Sequence, residues 1–420
     1  MTVTDGSERR SVAAFWILAA LFVAAVASSA IPSPLYPVYA AEWQLAPVTL
    51  TIVFAIYVVG LLLMLVVAGS LSDFIGRKPV LAVGVVLAVA AMALFATADS
   101  LGMLIAARVL QGVAVGTLMG ALGAGLLDHS LPKHPSWASV LNGAIPPLSL
   151  TIGALSSGAL VEWAPWPTGL VYVVFGAFLL LAGLALFVVP ERVQRRPGAL
   201  ASLRPTVSLP AASRTLFSGV VWSLVSSWAL VGLYLALMPS VLKSAFAIDD
   251  HFAVGAFIAV FTAAGAITGL AIQRADARRA MLLGLVALIL GPLVTVIAVP
   301  SGLLIGVLVG TVIAGIGFGA GFQAGLRLLL STAVPESRAR LLSVIYIASY
   351  LAFGLPSVVA GALQPLAGIV PVTIGYGVFV MLCASVSLIA QLRPGAAERA
   401  EERASARVAS TATGSVIVVR

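Results

Sequence analysis

The sequence predicts an all-α polytopic membrane protein with twelve transmembrane helices in two pseudo-symmetric six-helix bundles. Hydrophobic residues make up 61% of the chain and charged residues only 9%, against the roughly 25% charged content of a soluble domain. Apolar stretches near the length of about 20 residues that crosses a bilayer core recur from end to end. A polar segment in the middle separates six of these stretches from the other six.

The stretches cover approximately 12–40, 48–71, 79–97, 101–127, 137–161, 168–189, 215–242, 252–272, 280–299, 302–330, 340–363 and 371–391. Helices are the expected form, because in hydrocarbon each backbone N–H and C=O needs a partner inside its own segment or in a closed barrel. The runs are too long and too uniform to be barrel strands. A water-soluble fold is excluded.

The net charge of +8 does not indicate nucleic acid, because the basic residues collect in alternate loops. With both ends inside, the cytoplasmic side receives Arg9, Arg10, Arg77, Lys78, Lys133, the arginines between 192 and 214, Arg274, Arg278, Arg279, Arg338, Arg340 and those of the tail. Lys243 falls outside. This is the asymmetry that sets orientation in the plasma membrane, so a multi-pass inner-membrane protein with both termini cytoplasmic is expected. Arg9 and Arg10, the apolar run behind them and the small residues at 28–30 imitate a signal peptide. Removing that run would leave eleven spans and reverse the charge pattern, so it is read as the first span.

The expected organisation is a cytoplasmic N-terminus (1–11), an N-terminal bundle (12–189), a cytoplasmic central loop (190–214), a C-terminal bundle (215–391) and a cytoplasmic tail (392–420). Gly112 and Gly116 precede Pro132, and Gly315 and Gly319 precede Pro335, at a constant shift of 203 residues. The 69–79 loop has a weaker counterpart at 269–279, and Ser139-Val140 pairs with Ser343-Val344. Either glycine pair alone denotes helix packing through small residues. Their matched offsets point to duplicated halves, the plan of transporters that rock one half against the other.

The loop Gly69-Ser70-Leu71-Ser72-Asp73-Phe74-Ile75-Gly76-Arg77-Lys78-Pro79 resembles the major facilitator signature G-x-L-x-D-x-x-G-R-K. Arg108-x-x-Gln111-Gly112-x-x-x-Gly116 resembles the second family motif, R-x-x-Q-G-x-x-x-G. The resemblance covers roughly 12–392 and points to bacterial twelve-helix efflux-type members. It implies alternating access, a gating motif of Gly69, Asp73, Gly76, Arg77 and Lys78, and a second motif of Arg108, Gln111, Gly112 and Gly116. The glycines permit close approach and a tight turn, and Asp73 can pair with Arg77. Span five departs from the proton-coupled drug exporters: Gly153-Ala154 and Ser157-Gly158 stand where a Gly-Pro pair followed by Gly-Gly is usual. Pro146 and Pro147 should kink it earlier. Gln273 occupies the position equivalent to Asp73, so the two gates are expected to be unequal.

Charges inside spans suggest function. Arg108 lies on the order of 10 Å deep at about 1.5 Å per residue, and both a gating role and a structural hydrogen bond fit it. Arg327 is near a span end, where its side chain can snorkel. A candidate substrate cavity comprises Tyr36, Tyr57, Asn142, Trp222, Trp228, Gln323, Arg327, Tyr346 and Tyr350, with packing as the alternative for each. Aromatic walls with few polar groups suit amphipathic molecules. Trp43, Trp163 and Trp166 read as interfacial belt residues. Pro32, Pro34 and Pro37, beside Tyr36 and Tyr39, should kink the end of span one. The tail at 393–407 reads as solvated, Cys383 as a buried inert thiol, and His129, His134 and His251 as solvated loop residues.

No catalytic, cofactor or metal signature is present, so no enzyme and no cofactor are expected. Every carboxylate sits at a span end or in a loop. The reading is a secondary transporter, an exporter of an amphipathic drug-like compound or metabolite. The alternatives are a metabolite importer or facilitator and, in another class, a non-transporting membrane sensor. The expected partners are a small-molecule substrate, protons as a candidate coupling ion and the lipid bilayer, with no nucleic acid and a monomeric state.

Overall fold

The first apolar run stays helical for a shorter distance than its hydropathy suggests. In the computed structural model, described for residues 3–131, 133–203 and 207–393, α1 (Val3–Ala30) ends just before Pro32 and Pro34 withdraw two backbone donors. The chain turns over 31–35, and α2 (Tyr36–Glu42) starts with a proline in its first turn. The span expected at 12–40 is therefore an apolar helix, Ser11–Ala30, with a separate cap. The tail expected to be solvated lies outside the described residues, as do Pro132 and Arg204.

The rest of the N-terminal half is α3 (Pro47–Ala68), α4 (Ser72–Ile75), α5 (Arg77–Ala96), α6 (Leu101–Asp128), α7 (Ser136–Trp163) and α8 (Leu170–Ala185). Pro146 and Pro147 sit inside α7, which remains helical through them. After the short α9 (Ala199–Ser202), the C-terminal half begins with α10 (Arg214–Gly232). A π turn at Leu233–Leu237 joins α10 to α11 (Met238–Phe246), so that one span runs Ala211–Phe246. Then follow α12 (His251–Ala271), α13 (Ala277–Ala298), α14 (Leu304–Ser331), α15 (Pro335–Ala367) and α16 (Ile369–Leu392).

Among the described residues, eleven helices are long and apolar enough to cross a membrane, and α8 is a shorter apolar helix of 16 residues. At about 1.5 Å per residue α8 still covers about 24 Å, and the chain is an all-α polytopic membrane protein. Successive spans alternate in direction. The motif loop at 69–76 and the loops at 190–203, 207–213, 272–276 and 332–334 therefore share one end, termed the motif face. Trp43, Trp163 and the 247–250 loop lie at the other, the far face.

The duplication noted in the sequence appears as a duplicated contact. Gly112 and Gly116 of α6 lie against the backbone of Tyr57 and Leu61 on α3, and Gly315 and Gly319 of α14 lie against that of Phe261 and Gly265 on α12. A Cβ at any of the four would run into a carbonyl oxygen, which is why these crossings use glycine.

The halves meet along two seams. On one, Gly158 lies against His251 and Gly255, Ala154 faces Gly255, and Thr151 bonds Thr262 at 2.7 Å. On the other, Thr51 packs on Gly361, Phe54 stands 4.6 Å from Phe353 between ring centres, and Tyr350 donates to Met119 Sδ at 3.5 Å. The second seam runs from the far face to mid-depth, and the first continues beyond it to Gly143, whose carbonyl accepts from Gln323 of α14 at 3.4 Å.

Candidate functional site

At the motif face, Ser72, Asp73 and Asp128 converge on Arg77. Arg77 pairs with Asp73, donates through Nη1 to Ser72 at 2.7 Å and through Nε to Asp128 at 3.0 Å. Asp128 is the last residue of α6, so the cation ties the loop to the end of another span. Gly76, between α4 and α5, has φ +101, a conformation that side chains resist. Its Cα faces Glu191, and a Cβ there would come within 2.7 Å of Glu191 Oε2. Glu191 accepts the N–H of Lys78 at 2.8 Å and that of Val193 at 3.1 Å. Partial burial alone would raise the Glu191 carboxyl, but hydrogen bonds from the backbone N–H groups of Lys78, Val193, Arg77 and Arg192 outweigh it and hold the group below its usual range. The central loop clasps the same place: Arg196 stacks 4.5 Å over the ring of Phe74, its N–H donates to the Phe74 carbonyl at 3.0 Å, and Ser70 bonds the Ser202 carbonyl at 3.2 Å.

Arg108 belongs to a packed network inside the N-terminal half. It is 1% exposed, donates to Gln111 Oε1 at 2.7 Å, to the Ser29 carbonyl at 3.4 Å and to the hydroxyl of Tyr36. The guanidinium also lies 5.5 and 5.6 Å from the ring centres of Tyr36 and Tyr57, within cation–π range. Gln111 in turn donates to the Ser28 carbonyl at 2.8 Å, and Tyr57 bonds Ser29 at 2.9 Å. The carbonyls that Arg108 and Gln111 occupy are those at the broken end of α1: Pro32 has no N–H to offer Ser28, and the N–H of Ser33 turns to Ala30 at 3.1 Å instead of Ser29. No carboxylate pairs with Arg108 among the described residues, and its Nε has no protein partner.

The remaining cavity candidates divide. Trp228, Tyr346 and Tyr350 come together at mid-depth with Phe322, Phe353 and Phe54: Trp228 lies 4.7 Å from Tyr350 and 5.4 Å from Phe322, and Tyr346 stands 6.4 Å from Tyr350. The indole Nε1 of Trp228 and the hydroxyls of Ser227 and Ser349 are buried without a protein partner. Asn142 of α7 donates to the Gly123 carbonyl of α6 at 2.9 Å, and Gln323 of α14 donates across the halves to the Gly143 carbonyl of α7 at 3.4 Å. Tyr36 and Tyr57 belong to the Arg108 network instead. Trp222 is 39% exposed and joins no ring of the cluster. Arg327 stands apart from the cluster, its guanidinium capping the carbonyls of Ile272, Gln273 and Ala275 where α12 ends.

Two histidines differ from the solvated reading. His129 is 3% exposed and contacts the carbonyls of Gly125 at 3.0 Å and Pro190 at 3.2 Å. His251 pairs with Glu162 at 2.9 Å. Trp163 and Trp166 are exposed at the far face, and Cys383 is a buried free thiol.

The sequence profile described as Major Facilitator Superfamily matches residues 17–355. The chain belongs to the Major Facilitator Superfamily. Its members are membrane transporters and not enzymes. A solved structure with the same fold is a bacterial homolog of the human lysosomal transporter Spinster, in an inward-facing and unoccupied conformation: TM-score 0.72, 15% identity, 91% of this chain and 97% of that one covered. Curated relatives are named multidrug resistance protein MdtL. That of Vibrio parahaemolyticus serotype O3:K6 (strain RIMD 2210633) is 30% identical over 39% of this chain and 41% of its own length, and that of Shewanella sp. (strain ANA-3) is 34% identical over 34% and 36%. The matches thus span about two fifths of the relatives' length.

Within this superfamily chain, sequence reasoning missed Asp128 and Glu191 as partners of the motif loop, and Phe54, Phe322 and Phe353 in the aromatic cluster. A signal existed for Phe353. It follows Tyr346 and Tyr350 at the seven- and three-residue spacings that place side chains on one helix face.

Proposed function

We propose that the protein is a secondary transporter that exports small amphipathic molecules from the cytoplasm by alternating access, in a bacterial plasma membrane with the motif face cytoplasmic. The observation that carries this reading is the pair of seams, which close the far face down to an aromatic cluster at mid-depth. A substrate entering from the motif face would meet Trp228, Tyr346 and Tyr350, with Asn142 and Gln323 at one edge and unpartnered polar groups close by. Rings supply broad apolar contact, and scattered donors supply orientation.

Export is favoured by the relatives named for multidrug resistance. Substrate charge is addressed by Arg108. A guanidinium keeps its charge, and this one has no countercharge among the described residues, which favours neutral or anionic substrates over cations. Asp73 and Arg77 form the gate of the motif face, where their pairing braces one half as the other moves. A substrate screen by uptake and efflux in cells overproducing the protein, with Asp73→Ala as control, tests the proposal. Net efflux of at least one amphipathic compound, lost in the control, is expected. Accumulation would reverse the direction, and no flux with any compound would leave a non-transporting sensor as the better reading.

A further inference from the structure

Glu162 and His251 join the two halves at the far face. Glu162 is the penultimate residue of α7, and His251 opens α12. One carboxylate oxygen, Glu162 Oε2, accepts the backbone N–H of His251 at 3.0 Å and lies 2.9 Å from its imidazole Nδ1. We propose that this pair is a proton-binding site, filled from the solution on the far side, whose occupancy favours closure of the far face. The proposal rests on the reading that the halves part and rejoin.

The two bonds respond differently to protons. While Glu162 stays ionised the backbone bond keeps its character, and that bond itself helps to hold the carboxyl below its ordinary range, whereas protonation of the imidazole adds a full opposite charge to the Nδ1 contact and makes it an ion pair. Directly beneath the pair, Gly158 lies against the backbone of His251, Phe252 and Gly255, so the contact exists only while α7 and α12 are together. Parting them would leave an imidazolium without its carboxylate. On protonation the closed form therefore gains an ion pair across the two halves that the open form lacks, which shifts the population toward closure.

The surroundings leave Glu162 as the charge that faces the ring. The side chains of His251 and Glu162 are 27% and 29% exposed, so protons reach them from solution. Lys243 of α11 and Asp249 line the same cavity of about 380 Å³ but pair with each other at 3.3 Å. Asp250 caps α12 through the Ala253 N–H at 2.7 Å. From α2 the cavity receives apolar atoms of Pro37, Val38 and Ala41, and the acid of that helix, Glu42, stands at its end. Exposed pairs are weak, which suits a contact that must break in every cycle.

The test reads the far face directly. Spin labels at Thr97→Cys and Ser301→Cys, exposed far-face positions in different halves, are placed in a Cys383→Ala background in nanodiscs, and their distance distribution is measured at pH 5.5 and 7.5. Expected is a long-distance fraction that grows about two- to fivefold with rising pH, the range an exposed pair supplies. His251→Gln, which keeps a neutral donor, and Glu162→Gln, which keeps an acceptor, should each abolish the pH response. Two populations insensitive to pH in the parent protein, or a His251→Gln variant that responds as the parent does, would overturn the proton site alone. One unchanging distance in every variant at both pH values would overturn the moving-halves reading with it.

Discussion

Arg77 donates through Nε to Asp128 at 3.0 Å, tying the motif loop to the last residue of α6, 51 positions away. The same guanidinium pairs with Asp73. The loop is thus braced from its own half in the far-face-closed arrangement, and Asp73 is the more exposed partner, at 42% against 30% for Asp128.

Asp73→Ala leaves Arg77 with Ser72 and Asp128, so folding should survive, with a change of less than about 1 kcal/mol typical of an exposed pair. Transport should fall and the conformational population should shift. Thiol labelling of engineered cysteines at each face, in a protein lacking Cys383, measures the shift. Unchanged labelling at both faces together with undiminished transport would remove this gate.

Gly112→Ala puts a methyl group against the Tyr57 carbonyl, and Gly315→Ala does the same at Phe261. Each should lower stability by about 1–3 kcal/mol, as overpacking of a tight interface does. Gly102→Ala, near the start of α6 with open space around its Cα, is the matched control and should be neutral or slightly stabilising. Thermal unfolding in detergent compares the three. Equal melting temperatures would show that the glycine crossings are not close contacts in the folded protein.

How much could be read beforehand follows from what each feature depends on. Spans are sums over about 20 residues, so hydropathy finds them even where a helix is short, as at α8. The glycine pairs were legible because duplication repeats their spacing. The break after Ala30 was underestimated: three prolines within six residues separate α2 from α1 altogether. Depth along the span groups Trp222 with Trp228, yet six positions at about 100° each put them on different faces of α10. The partners of Arg327 and His251, the end of α12 and Glu162, are not legible in the sequence because they come close only through tertiary packing. Near the first quarter of the duplicated spans, Thr311 takes the place that Arg108 has in the first half, accepting from Tyr234 at 2.9 Å. That asymmetry was already present in the sequence, since the second-half motif lacks the arginine.

Glu191 predicts an acid-sensitive clasp. Its carboxyl is partly buried, and the N–H bonds that prevail hold it below the ordinary glutamate value, about 4.3. A group depressed in the folded state contributes stability above that ordinary value and loses it as pH falls through the depressed one. The melting temperatures of the native protein and Glu191→Gln should therefore differ near pH 6 and converge as pH drops below about 4. A difference that persists unchanged at acid pH would assign the effect to packing and not to the carboxylate.

At the centre stands transport of neutral or anionic amphipathic molecules past an aromatic cluster, in a protein whose buried Arg108 has no countercharge among the described residues. Flux in proteoliposomes with an imposed pH gradient tests it most directly, comparing a neutral or anionic amphipath with a permanent cation of similar size. Flux of the former is expected, reduced severalfold in Trp228→Ala, with little flux of the cation. Robust proton-driven export of the permanent cation, abolished by Arg108→Ala and insensitive to neutralising each peripheral acid, would contradict it.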